Sequence, residues 1–232
     1  MPEPFATWFP NVANYWSTFL ESLAATFQMF FIAGILVILI GGAFGVILTI
    51  TKPEGITPSK PVHMIFEIIT NVFRSIPFII LLIFLIPLTR LIVGTSIGVK
   101  GAIVPLVFGA VPFFTRQTES ALADVDPGKI EAARSMGSSP VGIVFRVYLH
   151  EACPDLIRAI TITAISMIGL TTSAGAVGAG GVGSFAINYG QNMHYQDVVN
   201  LCVIVLLIIV SLIQLIGNTL SRATVNKELF HL

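Results

Sequence analysis

Residues that could carry out chemistry are sparse in this 232-residue sequence, which holds two cysteines and four histidines. The dipeptide His150-Glu151 begins like the His-Glu-x-x-His motif of zinc proteases, in which two histidines one helical turn apart bind the metal. Position 154 is Pro, so the second histidine is missing. Cys153 and Cys202 are too few for a disulfide framework or a zinc cluster. We therefore predict no metal site, no cofactor and no catalytic residue.

A glycine-rich segment has the spacing of a nucleotide-binding signature but not its surroundings. Gly178, Gly180 and Gly183 follow the Gly-x-Gly-x-x-Gly pattern, and Asp197 lies 19 residues after Gly178. A dinucleotide site requires a β-strand before this segment and a helix after it. Here the segment follows a long apolar stretch, and we interpret it as a close-packed linker between two membrane helices. The sequence also lacks a Gly-x-x-x-x-Gly-Lys-Ser/Thr loop, so we expect no ATP hydrolysis by this chain.

The composition around these residues places the chain in a lipid bilayer. Hydrophobic residues make up 55% of the sequence and charged residues only 10%, whereas a soluble domain carries about 25% charged residues. The formal net charge of zero provides no basic surface for nucleic acid. Residues 1–10 contain Glu3 but no lysine or arginine, so we expect no cleavable signal peptide.

Apolar stretches predict an all-α membrane protein with five transmembrane helices per subunit. A helix needs about 20 apolar residues to cross a hydrocarbon core of about 30 Å. We place the spans at about 22–51, 76–93, 101–115, 156–176 and 198–218. They define an extracytoplasmic segment 1–21, a transmembrane domain 22–220 with a long polar loop 116–153, and a tail 221–232.

The distribution of basic residues predicts the orientation of these spans. One set of loops holds ten of the 12 lysine and arginine residues, and the other set holds only Arg90 and Lys100. Basic residues accumulate in cytoplasmic loops. We therefore expect the N-terminus outside and the C-terminus in the cytoplasm, in a multi-pass protein of the bacterial inner membrane.

Two helical segments carry further patterns. Gly41 and Gly45 in the first span form a Gly-x-x-x-Gly pair, which fits either a dimer face or ordinary close helix packing. Residues 62–73 are amphipathic, and we predict a cytoplasmic helix there that leads into the second span.

The long polar loop is predicted to contain two helices. Asp126 is a good N-cap, and Pro127 suits the first helical position because its missing N–H would be unpaired there. Gly137 suits the left-handed position that ends a helix. Ser139 and Pro140 repeat the start signal, so a second helix leads back towards the membrane.

The first of these helices has the character of a docking element. Ala132 and Ala133 are small enough for a partner to approach the backbone closely, and Glu131 and Arg134 beside them can form charge-assisted hydrogen bonds. The alternative is an amphipathic helix lying on the bilayer, but the large apolar side chains that membrane binding requires are missing.

The run from Glu131 to Ala133, with Gly137 four residues later, resembles the EAA loop of permease subunits of ATP-binding-cassette importers. That family has Glu-Ala-Ala, three residues, Gly, nine residues and then Ile-x-Leu-Pro. His150 stands where the family has its final proline. Residues 74–82 and 175–183 are similar to the methionine-uptake branch of these permeases.

The resemblance implies an assembly and a function. It implies a homodimer of five-span subunits that binds two ATPase subunits and receives substrate, most simply methionine, from an extracytoplasmic substrate-binding protein. It also implies that the loop helix between the third and fourth spans is a coupling helix seated in a groove of the ATPase. The ATPase-docking residues are then Glu131, Ala132, Ala133, Arg134 and Gly137.

The fourth span is predicted to line the transport path. Thr163, Ser166, Met167 and Leu170 share one helical face at i, i+3, i+4 and i+7 spacing. A methionine among small hydroxyl residues makes a deformable apolar plug, and two of them across a dimer axis would close a pore. The alternative is a methionine that fills a packing gap.

Two other classes of function stay open. A secondary carrier or channel would work without ATP, but such carriers usually hold ionisable groups within the membrane, and these spans offer no such pair. A membrane enzyme would need a catalytic cluster. The candidates for it are Asp124, Asp126, Glu131 and His150. Copurification of an ATPase subunit separates the first class from an importer.

Overall fold

The computed structural model describes residues 8–229, with side chains described for residues 8–224. The described residues form helices joined by turns and contain no strand, which confirms the all-α prediction. Residues 1–7, including Glu3, and residues 230–232 of the predicted tail lie outside the described residues.

Long apolar helices alternate with shorter ones along the chain. The first helices are α1 (Pro10–Asn14), α2 (Trp16–Thr51), α3 (Lys60–Ser75), α4 (Phe78–Phe84), α5 (Ile86–Val93) and α6 (Gly98–Ala123). Then come α7 (Pro127–Ser135), α8 (Pro140–Ile143), a π-helical turn (Val144–Tyr148) and α9 (Leu149–Glu151). The last are α10 (Cys153–Gly175), α11 (Gly181–Phe185), a second π-helical segment (Ala186–Gln191) and α12 (Gln196–Leu229).

Four of the described helices, α2, α6, α10 and α12, are long and apolar enough to cross a membrane, and α3 with α4 adds a fifth if that bent pair is one span. The axes of α3 and α4 differ by 106°. Pro77 explains the break, because proline has no N–H to donate and disfavours a helical residue before it. Pro87 lies in the first turn of α5, so the predicted span 76–93 consists of two short helices that meet at Leu85.

The helices extend beyond the bounds predicted from hydropathy. α2 begins at Trp16 rather than at residue 22, and α6 continues to Ala123 rather than ending at 115. α12 continues to Leu229 rather than ending at 218. Hydropathy marks only the part that lies in lipid, whereas a 36-residue helix such as α2 rises about 54 Å. The long polar loop therefore begins with two helical turns.

The chain folds as two compact units. The first comprises the described residues up to Ile35 together with Ile76–Gly109 and Ala164–Ile213. Two hydrogen bonds of 2.9 Å from the backbone and side chain of Asn11 to the carboxylate of Asp197 hold α1 against the start of α12. Its core consists of Val12, Phe19, Val182, Phe185, Val198, Leu201 and Cys202.

The second unit comprises Leu36–Ser75, Ala110–Thr163 and the described residues from Gln214 onwards. Its core consists of Ile56, Leu122, Val125, Ala133, Ile143, Val144, Tyr148 and Ala152. Close packing of α2 on α6 is part of this unit. A Cβ at Gly45 would lie 2.5 Å from the Cβ of Thr118, and one at Gly41 would lie 3.1 Å from the Val111 carbonyl oxygen. The Gly-x-x-x-Gly pair therefore serves helix packing within one chain.

The amphipathic helix α3 packs through its polar side. The Arg116 guanidinium on α6 donates to Asn71 Oδ1 at 2.8 Å and lies 3.9 Å from Glu67 Oε1. The Nδ1 atom of His63 lies 3.2 Å from the carbonyl oxygen of Leu48. The large apolar side chains of α3 are exposed instead, among them Ile65, Ile68 and Val72.

Candidate functional site

The predicted docking helix is α7, and its capping signals are confirmed. The Asp126 Oδ1 atom accepts a hydrogen bond of 2.8 Å from the N–H of Gly128, and Pro127 takes the first helical position. Gly137, with a φ of +78°, follows the last turn in the left-handed conformation. These caps satisfy backbone groups that a nine-residue helix would otherwise leave unpaired at both ends.

The two alanines of α7 face different surroundings. Ala133 is 4% exposed and packs into the core of its own unit, whereas Ala132 is exposed. Consecutive helical residues point about 100° apart, so both cannot face a partner equally. This differs from the interpretation of the pair as one docking surface. Glu131, Arg134 and Gly137 are exposed beside Ala132.

Met136 is a surface residue that the sequence reasoning missed. Its side chain is 78% exposed, and it follows Ala132 by four residues on the same side of the helix. The i, i+4 spacing of Ala132 and Met136 in the sequence could have indicated this shared side. Ala132 and Met136 together form a small apolar surface with charged neighbours, which suits contact with another protein.

Two contacts hold α7 in place. Lys129 forms an ion pair with Glu151 of α9, and the core beneath Ala133 includes Leu122 from the end of α6. The Ser139 hydroxyl caps the next helix by accepting from the N–H of Gly142 at 3.2 Å. α7 is therefore in contact with the end of α6 and with the helical segment that follows the loop.

A cleft of about 490 Å³ opens beside α7. Tyr148 lines it and is only 4% exposed. Burial raises the pKa of the Tyr148 phenol, and the positive charge of Arg134 partly offsets that rise. The lining residues are Glu54, Ile56, Pro127, Ile130, Glu131, Arg134, Ser135 and Tyr148.

The residues predicted for the transport path do not share one environment on α10. Met167 is 2% exposed, and its Sδ and Cε atoms lie 3.9 Å from where a Cβ on Gly34 would be. The Thr163 hydroxyl is buried and donates to the Ala159 carbonyl at 2.7 Å. Ser166 is exposed and Leu170 is half-buried. The gate at Met167 stays a prediction.

The exposed side of this part of α10 carries small residues. Ser166, Gly169 and Ser173 follow each other at helical spacing; Ser166 and Gly169 are exposed and Ser173 is half-buried. A Cβ at Gly169 would meet no atom within 4 Å. Of these three residues, only Ser166 was predicted from the sequence to line the path. The path-lining face was predicted to run through Met167 and Leu170 instead of Gly169 and Ser173.

The glycine segment after α10 is a tight turn between helices. Gly178, Gly180 and Gly181 all have positive φ, and the Gly98 N–H donates to the Gly178 carbonyl at 3.0 Å. The Val182 N–H donates to the Thr26 hydroxyl at 2.8 Å. The segment follows a helix rather than a strand, as the linker interpretation requires.

The described residues contain no group of three or more His, Cys, Asp or Glu side chains that could hold a metal ion. The carboxylates and histidine considered for a membrane enzyme, Asp124, Asp126, Glu131 and His150, are all exposed.

Comparison with known proteins identifies one family. Residues 41–227 match the model of the binding-protein-dependent transport system inner membrane component. The probable D-methionine transport system permease protein MetI of Vibrio cholerae is 42% identical over 203 residues, which are 86% of this chain and 90% of the relative. The methionine import system permease protein MetP of Bacillus subtilis is 42% identical over 176 residues, or 76% and 79% of the two chains.

A solved structure gives the same result. An inward-facing conformation of the MetNI methionine ABC transporter matches with a TM-score of 0.87 and 42% identity, covering 97% of this chain and 99% of the matched chain. The protein belongs to the family of binding-protein-dependent transport system inner membrane components. Its resemblance to the permeases of ATP-binding-cassette importers is confirmed.

Proposed function

We propose that this chain is the permease subunit of an ATP-driven methionine importer, which forms the translocation path and couples to a separate ATPase. The observation that carries the proposal is the match to the MetNI methionine ABC transporter over 97% of the chain. The names of the MetI and MetP relatives support methionine as the substrate.

The working unit is a dimer of this chain with two ATPase subunits and an extracytoplasmic substrate-binding protein. The N-terminus lies outside and the C-terminus in the cytoplasm, with α7 on the cytoplasmic side between the third and fourth crossings. The concentration of ten basic residues in one set of loops supports this orientation.

In this proposal α7 is the coupling helix. ATP-driven closure of the two ATPases draws the two copies of α7 together, and the subunits tilt as rigid bodies so that the path opens outward. The ion pair of Lys129 with Glu151 and the core around Ala133 support this role, because they tie α7 to the helices on both sides of it.

The path is lined by the small residues Ser166, Gly169 and Ser173 of α10, of which Ser166 and Gly169 are exposed. Small residues leave room for a water-filled path, and their hydroxyl groups can form hydrogen bonds with water there. A Met167 gate requires a rearrangement that frees the side chain from Gly34. Crosslinking of Met167→Cys across the dimer, lost on adding ATP and vanadate, would support the gate, and no crosslinking in any state would exclude it.

Reconstitution tests the function. Proteoliposomes that contain the permease, its cognate ATPase and its binding protein should accumulate labelled methionine only when ATP is present. The double variant Glu131→Arg with Gly137→Pro should abolish uptake, because it alters both the charge and the end of α7. Uphill uptake by the permease alone without nucleotide would establish a secondary carrier instead.

A further inference from the structure

A narrow apolar slot lies within the second unit, between the later half of α2, the second half of α6 and the segment that leads into α10. Its volume is about 660 Å³. Thr118 is the one polar side chain among the described residues that line the slot, and the others are apolar. The lining residues are Ile38, Leu39, Gly42, Ala43, Val46, Ile47, Ile50, Phe114, Thr118, Val141, Val144, Phe145, Leu149, Leu156 and Ile160.

The dimensions of the slot limit what can enter it. It runs along α2 from Ile38 to Ile50, one residue before that helix ends. This part of the helix rises about 18 Å, which is close to the depth of one leaflet, about half of a hydrocarbon core of about 30 Å. A volume of about 660 Å³ spread over that length corresponds to a channel about 7 Å wide, whereas a helix with its side chains is about 10–12 Å across. The slot is therefore too narrow for a helix of a second chain.

Large apolar side chains are exposed at one edge of the slot. Val141 and Phe145 are 66% and 67% exposed, although they belong to the polar loop that follows α6. An exposed apolar patch of this kind marks a contact with lipid or with another protein. A single hydrocarbon chain, whose carbon atoms make van der Waals contacts at about 4 Å, fits within the width of the slot. The edge and the width together indicate an acyl chain.

Basic side chains follow this edge along the same helical segment. Phe145 and Leu149 both line the slot and are about one helical turn apart. Each is followed directly by an exposed basic or titratable residue, Arg146 and His150. Arg146 forms no ion pair within the described part of the chain, whereas the guanidinium of Arg158 pairs with a nearby carboxylate. A positive charge is therefore available beside the exposed edge.

We propose that the slot binds one acyl chain of an anionic phospholipid, whose phosphate is held by Arg146. A guanidinium can donate two parallel hydrogen bonds to a phosphate, and basic residues beside membrane helices favour anionic headgroups. A ligand with polar groups along its length would lose their hydrogen bonds to water in this lining. The bound lipid contacts α2, α6 and the segment before α10 at once. This lipid site requires only that the chain spans a membrane, so it does not depend on an ATPase.

Native mass spectrometry tests the acyl-chain site, with permease purified from proteoliposomes of phosphatidylcholine and phosphatidylglycerol. We expect one retained phospholipid per chain. Ala43→Trp should remove it, because position 43 is exposed and lines the slot. The matched control is Ala24→Trp, at an exposed position of α2 that does not line the slot, and it should keep the lipid. Equal retention by the two variants would overturn the proposal.

The headgroup is tested separately with Arg146→Gln. The wild type should prefer phosphatidylglycerol over phosphatidylcholine, whose own ammonium group neutralises its phosphate. Arg146→Gln should still retain a phospholipid but lose about tenfold of that preference, the effect of losing a charge-assisted hydrogen bond. Arg222→Gln removes an exposed arginine of α12 that does not line the slot and should keep the preference. The same preference in both variants would show that Arg146 does not hold the phosphate.

Crosslinking identifies the occupant of the exposed edge. A photoreactive residue at position 145 should become attached to phospholipid in proteoliposomes. Capture of a second permease chain or of an ATPase subunit in place of lipid would overturn the proposal and make this edge a protein interface. The proposed function would stand in that case, because ATP-dependent uptake of methionine tests it independently.

Discussion

At the scale of single residues, the glycines of α2 show how closely two helices of this chain approach. Gly41 and Gly45 lie against Val111, Phe114 and Thr118 of α6, so neither position has room for a side chain. These two glycines are therefore not free to form a dimer face, since α6 of the same chain already covers them. Steric fit therefore decides what these positions tolerate.

Gly45→Ala should destabilise the permease by about 1–3 kcal/mol, because the added Cβ overpacks a filled core. It would lie 2.5 Å from the Cβ of Thr118 and 2.9 Å from the Thr115 carbonyl oxygen. The measurement is the melting temperature of the purified protein in detergent. Gly42→Ala is the control, since its Cβ would lie an ordinary 3.7 Å from Phe114. Equal melting temperatures for the two variants would contradict this packing.

The paired alanines permit a second test at this scale. Ala132→Leu should leave the melting temperature unchanged but abolish ATPase binding, because position 132 is exposed on α7. Ala133→Leu should instead lower the melting temperature, because position 133 is buried and extra methylenes cost about 1–3 kcal/mol in a packed core. Thermal melting and ATPase copurification distinguish the two, and loss of stability in Ala132→Leu would show that the assignment of faces is wrong.

At the scale of elements, short helices depend on their ends more than long ones do. α7 has nine residues, so its unpaired terminal groups are a large fraction of its backbone. The Asp126 cap and the following Pro127 could be predicted from the sequence, because capping depends on a few neighbouring residues. The side of α7 that faces the core could not be predicted from the sequence, because it depends on packing against Ile56 and Leu122, which are distant in the chain.

Asp126→Ala should loosen α7 by about 1 kcal/mol, the usual effect of losing an N-cap. Hydrogen exchange of the amides of residues 128–135 should accelerate about fivefold, while exchange in α6 stays unchanged. Asp124→Ala provides the control, because Asp124 is exposed, lies two residues earlier and does not cap the helix. Identical exchange rates in both variants would show that the cap does not hold α7.

At the scale of the whole molecule, hydropathy predicted the all-helical class correctly, and the resemblance of the EAA segment to importer permeases predicted the family correctly. Proline breaks and helix lengths were harder, since Pro77 and Pro87 divide one predicted span and α12 continues to Leu229. The EAA residues of the candidate site were singled out from the sequence and stay a prediction, whereas Met136 and Glu54, which lie on or beside α7, were not singled out. An exposed methionine and a turn brought beside α7 depend on tertiary packing, which composition and spacing do not contain.

Orientation is a property of the whole molecule and can be tested directly. After replacing Cys153 and Cys202, single cysteines at the exposed positions Ser138 and Met193 should react from opposite sides of the membrane. The cysteine at 193 should be labelled by an impermeant maleimide in intact cells. The one at 138 should react only after the cells are opened. The reverse pattern would contradict an external N-terminus.

The polar contacts of α3 form in a definite order during synthesis of the chain. Its partner Arg116 follows Asn71 by 45 residues and Glu67 by 49 in the chain. At a synthesis rate of about 5–20 residues per second, this arginine emerges about 2–9 s after Asn71. During that interval His63 can already contact the Leu48 carbonyl of α2, whereas Glu67 and Asn71 have not yet met their partner on α6. The polar contacts of α3 are therefore completed only after α6 has been translated.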